Sequence, residues 1–287
     1  MIIIDYSGIA VAAVFSQDCP EVIEENLIRH MILNVIRRNN FKYREKFGKT
    51  VIACDNGSWR KGVYAQYKAH RKTNRDESPL DWKSFFELIH KIKDELKENF
   101  AYPVLEVKNA EADDIIGQLV RNTQEFGQHE ENIIISGDKD FLQLQRYGNV
   151  KQFSPQRKSL ISEEDPTAYL FEHIIRGCGG DGVPNILSPD NAFTDGIRQS
   201  PIRKTKVADW YSNRDKLDTY MTADQFRNFK RNERMIDLSF TPQEICDEVD
   251  KQQTEQNNKT NGKILNYLIK NRCAMLTGSV EEFFTKA

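Results

Sequence analysis

The 287-residue sequence is poor in cysteine, and its five thiols (Cys19, Cys54, Cys178, Cys246, Cys273) are scattered and never spaced as CxxC. An odd, dispersed set excludes a disulfide framework and a cysteine zinc site, and fits a reducing cytoplasm. Long hydrophobic runs are missing too, since none approaches the roughly 18 residues of a membrane span. The opening MIIIDYSGIA has no basic leading segment and carries Asp5, so it is not expected to serve as a secretory signal. No sign of charge dominates: 41 Lys and Arg meet 43 Asp and Glu, a formal net charge of −2. That balance does not exclude nucleic acid, because patches of opposite sign cancel in the total. There is no internal repeat of solenoid period. What is present, 39% hydrophobic and 29% charged residues, excludes a wholly disordered chain and implies a core under a highly charged surface. The length suits one large domain or two smaller ones.

Short apolar runs alternate with amphipathic stretches over about the first 155 residues. Ile2 to Tyr6, Thr50 to Cys54, Pro103 to Val107 and Ile133 to Ser136 read as buried strands. Between them, Val22 to Arg38, Trp82 to Phe100 and Glu111 to Phe126 carry apolar residues three and four apart, which predicts helices. That alternation implies an α/β fold with a mainly parallel sheet flanked by helices. Past Ser154 helices dominate, among them Thr167 to Arg176, Ala223 to Leu238 and Ile264 to Leu276. The polar stretch Lys251 to Gly262 reads as a mobile loop.

Asp5, Asp55, Asp113 and Asp138 share one context. Each stands at or just past a strand end, or at the start of the next helix. In open parallel sheets the ligand crevice lies at those strand ends. Asp140, Asp181 and Glu111 are expected to join them. So many carboxylates repel one another and raise each other's pKa unless a cation intervenes. An all-oxygen set favours Mg²⁺ or Mn²⁺. Two ions about 4 Å apart activate a water and stabilise a leaving phosphodiester oxygen. Each acid alone is equally explained as a turn residue or a first-turn helix acid. Their coincidence at four strand ends is what points to a metal site.

From Asn56 to Arg75 there is no acid. Arg60, Lys61, Lys68, Arg71, Lys72 and Arg75 alternate with Trp59, Tyr64 and Tyr67, a composition that binds phosphates and stacks bases. The segment follows Asp55 directly, so it is expected to bring cations to where phosphate meets carboxylate. A second cluster, Arg198, Arg203, Lys204 and Lys206, reads equally as a duplex contact or an ordinary surface patch.

Together these residues resemble the flap endonuclease family of 5′-nucleases, in particular its RNase H branch in T-even-like bacteriophages. The resemblance is carried by IIIDYS at Asp5, ACDNGSWRKGVYAQYK from Ala53, DWKSFFE from Asp81, NAEADDIIGQLV around Asp113, IIISGDKDFLQLQRYGNVKQFSP around Asp138 and IIRGCGGDGVPN around Asp181. It implies a PIN-like catalytic domain over 1–180 with a basic helical arch at 56–80. It also implies a helical DNA-binding domain over 181–287. The activity implied is a Mg²⁺-dependent 5′-to-3′ exonuclease and flap endonuclease on RNA/DNA hybrids and duplex DNA, removing lagging-strand RNA primers in phage replication. Position by position, Asp5, Asp55, Asp113 and Asp138 would serve a first metal, with Glu111 nearby, and Asp140 and Asp181 a second. Lys68 and Arg75 would hold the scissile phosphate, and Tyr64 and Tyr67 would stack on the substrate strand. Arg60, Lys61, Arg71 and Lys72 complete the nucleic-acid contacts. A monomer in the cytoplasm of an infected bacterial host is implied, with a single-strand-binding protein or sliding clamp as possible replisome partner and no membrane partner.

Two departures stand out. Cys178 occupies a position where the family usually has an aspartate, and a thiol is a poor ligand for a hard cation. The glycine-rich hairpin of cellular relatives is not evident between Val183 and Lys206. Two other readings stay open: a PIN-type ribonuclease of single-stranded RNA, and a non-catalytic flap or duplex binder. The tail SVEEFFTKA reads either as a docking motif or as rings that cap the last helix.

Overall fold

The computed structural model describes residues 1–15, 23–124, 129–257 and 259–285. Cys19 and the expected helix limits Val22 and Phe126 lie outside them. Six strands form one sheet: β1 (Ile2–Asp5), β2 (Thr50–Cys54), β3 (Val104–Glu106), β4 (Asn132–Ile135), β5 (Val150–Ser154) and β6 (Ser159–Ile161), in the order β3-β2-β1-β4-β5-β6. β1 to β5 are parallel and β6 runs antiparallel to β5. Every residue of β1, β2 and β4 is buried, as expected for strands covered on both faces.

Two compact units interleave in sequence instead of meeting at the expected single boundary near 180. One comprises Met1–Gly57, Ser78–Ser162 and Pro242–Ala287; the other comprises Ser58–Glu77 and Glu163–Thr241. The first holds the sheet. The second is helical and is built around Tyr64, Tyr67, Phe171, Ile175, Trp210 and Phe229.

Several elements differ from the sequence expectation for identifiable reasons. Tyr6–Phe15 is a helix that begins as β1 ends. Its segment, YSGIAVAAVF, is apolar all round and shows no periodicity. The helix expected to end at Arg38 runs Glu25–Phe47, and Gly48 (φ 77°) closes it with its N–H on the Arg44 carbonyl at 2.9 Å. Its second half hides its purpose in polar residues. Asn40, fully buried, accepts from Thr50 Oγ1 at 2.8 Å and donates to the carbonyls of Glu282 (2.7 Å) and Phe284 (3.0 Å). That anchors the C-terminal segment, whose Phe283 is fully buried in the sheet unit's core and whose Phe284 packs against it. These rings are core residues, not a free docking motif.

The expected loop from Lys251 is corrected as well: helix Gln243–Glu255 covers its first half. Gln252 exchanges two hydrogen bonds of 3.1 Å with the backbone N–H and C=O of Glu106. Gln256 does the same with Val104, at 3.0 and 3.1 Å. Two side-chain amides thus stand in for a neighbouring strand along the edge of β3. Among the described residues no helix is long and apolar enough to cross a membrane.

Candidate active site

The sheet reverses its strand order between β1 and β4, and the crevice at such a reversal is where open α/β sheets bind ligands. Asp5 is the last residue of β1 and is 7% exposed. Its Oδ1 accepts from the Gly8 N–H at 2.9 Å and its Oδ2 from the Ser136 hydroxyl at 2.8 Å. The carboxylate folds over the first turn of helix Tyr6–Phe15, where a Cβ on residue 8 would lie 2.3 Å from Oδ2. Gly8 is therefore a steric requirement of the site. Burial, then the charge of Asp55, pushes the Asp5 carboxyl up to about 7, against the pull of its two hydrogen bonds; Asp138 adds a smaller push.

Asp55 directly follows β2 and is exposed. Its Oδ1 accepts from the Ala112 N–H at 2.7 Å, at the N-terminus of helix Ala112–Asn122. A backbone bridge between Asn56 and Ala110 fixes that approach. The acids of EADD divide their roles. Asp114 is fully buried and accepts from the Glu111 N–H at 3.0 Å, which makes it a structural cap. Glu111 is buried and Asp113 half-buried beside the Asp55 contact.

Asp138 follows β4 and is exposed. Its N–H donates to Ser136 Oγ at 3.1 Å and its Oδ1 accepts from the Asp140 N–H at 3.0 Å. Gln152 of β5, 1% exposed, donates to the carbonyls of Ser136 and Asp138. Ser136 and Gln152 are thus the framework of the loop that carries Asp138 and Asp140. Sequence reading missed both. Ser136 reads as a strand end, and only a glutamine inside a strand could have pointed to the other. A cavity of about 290 Å³ is lined here by Asp5, Gly8, Ser136, Asp138, Gln156 and Arg157. Arg157 was also missed, since the basic residues of QRK carry no pattern.

The helical unit holds the cationic segment, and there the expectations need correction. Arg60 is 2% exposed, donates to the Met235 carbonyl at 2.8 Å and lies 4.8 Å over the Trp59 ring. Tyr64 is buried with its hydroxyl on the Asp190 carbonyl, and Tyr67 is buried with its hydroxyl 2.9 Å from Asp181 Oδ2. None of the three presents a face for bases or phosphates, because all three build that unit's core. Lys68 adopts φ 56°, rare for a side-chain-bearing residue. It is held there by its N–H on the Asp181 carbonyl at 2.7 Å, with Nζ 3.5 Å from Oδ1. Arg71 reaches the same Oδ1 at 2.7 Å. Asp181, expected as a metal ligand, is thus engaged by Tyr67, Lys68 and Arg71 of its own unit. Lys61, Lys72 and Arg75 are exposed, and partial loss of solvent around the guanidinium, then the Arg71 charge, lower the pKa of Arg75. Cys178 is half-buried, and its carbonyl accepts from the N–H groups of Asp181 (3.1 Å) and Val183 (2.9 Å).

The sheet-unit acids suit a divalent cation. Their donors are all oxygen, and burial followed by the charge of Asp55 holds the Asp5 carboxyl up where no cation of this unit pairs with it among the described residues.

Comparison with known proteins supports the same assignment. Residues 2–170 match the family described as 5′-3′ exonuclease, N-terminal resolvase-like domain, and residues 165–283 match the T4 RNase H C-terminal family. The chain is 33% identical over 292 aligned positions to the Ribonuclease H of Enterobacteria phage T4, covering 98% of this chain and 95% of that protein. A 5′-3′ exonuclease of Buchnera aphidicola from Acyrthosiphon pisum is 26% identical over 158 positions, about half of each chain (52% and 51%). In fold, the chain is similar to the T5 D15 protein crystallised with metal ions, with TM-score 0.62 at 16% identity over 89% of this chain and 98% of that one. A T5 D15 flap endonuclease complex with DNA and metal ions gives 0.61 at 16% identity, over 90% and 99%. With acids at the ends of β1, β2 and β4 and both family matches in sequence order, this chain belongs to the 5′-3′ exonuclease family of metal-dependent nucleases.

Proposed function

We propose that the chain is a Mg²⁺-dependent 5′-to-3′ exonuclease and flap endonuclease that acts on DNA flaps and RNA/DNA hybrids. Its role would be removal of lagging-strand RNA primers during phage replication, as a monomer in the cytoplasm of the infected host. The observation that carries this reading is the convergence of Asp5 and Asp138, from two separate strand ends, on one cavity where both are bonded to Ser136. The 33% identity to the T4 Ribonuclease H supports the choice of substrate class.

Asp5, Asp55, Asp113 and Asp138, with Glu111, would hold one Mg²⁺, and Asp140 would serve a second; Mn²⁺ fits the same donors. When bound, such ions lower the pKa of a water and stabilise a leaving phosphodiester oxygen. The remaining work belongs to side chains of this protein. Ser136 and the Gly8 N–H fix both oxygens of Asp5. The Ala112 N–H orients Asp55. Lys68 and Arg75 would hold the scissile phosphate and its growing charge. Lys61, Arg71 and Lys72 would attract the strand that enters. A replisome partner, a single-strand-binding protein or sliding clamp, belongs to the same proposal.

The test is cleavage of a 5′-labelled flap duplex, with an RNA/DNA hybrid and free single-stranded RNA beside it, in Mg²⁺, in chelator and with Asp138→Asn. Short 5′ products from flap or hybrid, lost in chelator and in the variant, are expected. Cleavage confined to free RNA would establish the PIN-type ribonuclease instead. Tight flap binding without cleavage in Mg²⁺, or in Mn²⁺ in its place, would make the protein a binder.

A further inference from the structure

A second cavity of the sheet unit, about 330 Å³, is lined by Val35, Arg38, Lys42, Phe153, Pro155 and Lys158. It is distinct from the acid-lined cavity, and among the described residues no acid lines it. Arg38 and Lys42 stand four residues apart on helix Glu25–Phe47. Like charges at that spacing repel along a helix, so the fold keeps this repulsion with no counter-charge in the lining. Lys42 is steadied over two rings, with Nζ 4.5 Å from the Phe153 centroid and 4.7 Å from that of Tyr43. Lys158 enters from the β5–β6 turn at φ 54°, a backbone conformation that costs a side-chain-bearing residue energy.

That turn joins the two cavities. Pro155 and Lys158 line the cationic one, while Gln156 and Arg157, between them in sequence, line the one that holds Asp5 and Asp138. A ligand with anionic groups at regular intervals can therefore pass from the acids to the cations across a single turn. We propose that Arg38, Lys42 and Lys158 form a backbone-phosphate site for the nucleic-acid strand that reaches the acid cavity, with Arg157 as the contact at the crossing. The proposal rests on the nuclease reading and extends its substrate contacts to the sheet unit. The apolar floor of Val35, Phe153 and Pro155 suits the sugar face of that strand.

The experiment measures binding of a fluorescent flap duplex in chelator, where no cleavage occurs, between 50 and 200 mM salt. It compares the full-length protein with an Arg38→Ala/Lys158→Ala double variant. A separate Lys42→Ala variant uncovers Phe153, so thermal melting must accompany it. Each lost phosphate contact lowers the slope of log affinity against log salt by about 0.9. The double variant is expected to lose about 2 in slope and to bind about tenfold or more weakly at low salt. An unchanged slope in both variants overturns the proposal. Loss of binding to a Glu- and Asp-rich peptide with the duplex slope intact also overturns it, and would make the pocket a protein-docking site. The nuclease reading is scored separately by Mg²⁺-dependent flap cleavage in the unmodified protein. Without that cleavage, a reduced slope would still establish the phosphate site.

Discussion

In the sheet unit the functional acids stand at the ends of buried strands, Asp5 as the last residue of β1 and Asp55 and Asp138 past β2 and β4, so apart from Asp5 the groups that make the fold and the groups that make the site are different residues. In the helical unit they are mixed. Arg60, Tyr64 and Tyr67 share one short segment with Lys61, Lys68, Arg71, Lys72 and Arg75, and only some of these are exposed. The contrast has an energetic side. The acids are tolerated at a cost to the metal-free protein, visible in the raised Asp5 carboxyl. Two of the cations, Lys68 and Arg71, are instead paired with Asp181 of their own unit. One region stores charge for a partner; the other spends part of its charge on its own cohesion.

The sharpest way to break this comparison is Asp5→Asn. In the sheet unit function and stability should move in opposite directions. Flap cleavage is expected to fall by at least about 10³-fold. The metal-free protein should gain about 1–3 kcal/mol at pH 8, read from denaturant unfolding, because a buried charge is removed. Equal loss of both would show that Asp5 serves the fold. The helical counterpart is Tyr67→Ala, where stability should fall by about 3–5 kcal/mol, as for a buried ring. If the ring stacked on substrate from the surface, the melt would stay put and only binding would weaken.

Gly8→Ala tests whether the acid site is sterically as well as chemically set. The new methyl group must displace the Asp5 carboxylate, so a loss of about 1–3 kcal/mol is expected from the strain. Single-turnover cleavage should slow by about 10- to 100-fold, since misplaced reacting groups lose catalysis steeply. Normal turnover would mean that the carboxylate position is not critical. The smallest effect expected is in pH dependence. Burial and the charge of Asp55 push the Asp5 carboxyl up to about 7 in the fold from an ordinary 3.8, so the folded state holds the extra proton between those values. Metal-free stability should therefore fall as pH rises from about 4 to 7, and stay low above. Stabilisation by Mg²⁺ or Mn²⁺ should grow over the same window and vanish in Asp5→Asn, as thermal shift would measure. A flat metal-free profile would place the charge stress elsewhere.

The acid site was legible because a strand end is marked by two independent signals, a short apolar run and the residue type that follows it. Asp5, Asp55 and Asp138 needed nothing more. Ser136, Gln152 and Arg157 were not legible, because a residue that positions another leaves no periodicity of its own. Gln152 even weakened the strand signal of β5 through the polarity its role demands. Asn40 did the same for the second half of helix Glu25–Phe47. The basic segment failed for a different reason. A Tyr that packs a core and a Tyr that stacks on a base look identical in sequence, and the burial of Tyr64 and Tyr67, with their hydroxyls on Asp190 and Asp181, decides between them. Nothing in residue type marks its exposed cations, Lys61, Lys72 and Arg75, off from its buried Arg60.

The two glutamines along β3 have a temporal consequence. Gln252 lies 146 residues after Glu106, and Gln256 lies 152 after Val104. During synthesis the edge of β3 therefore emerges long before the groups that occupy it. For that interval a nascent chain offers an open row of N–H and C=O groups to any strand nearby, including its counterpart on the next ribosome of the same message. Helix Gln243–Glu255 and the residue after it act as a late seal, and a chain cut short before Gln252 leaves that edge without the groups that occupy it.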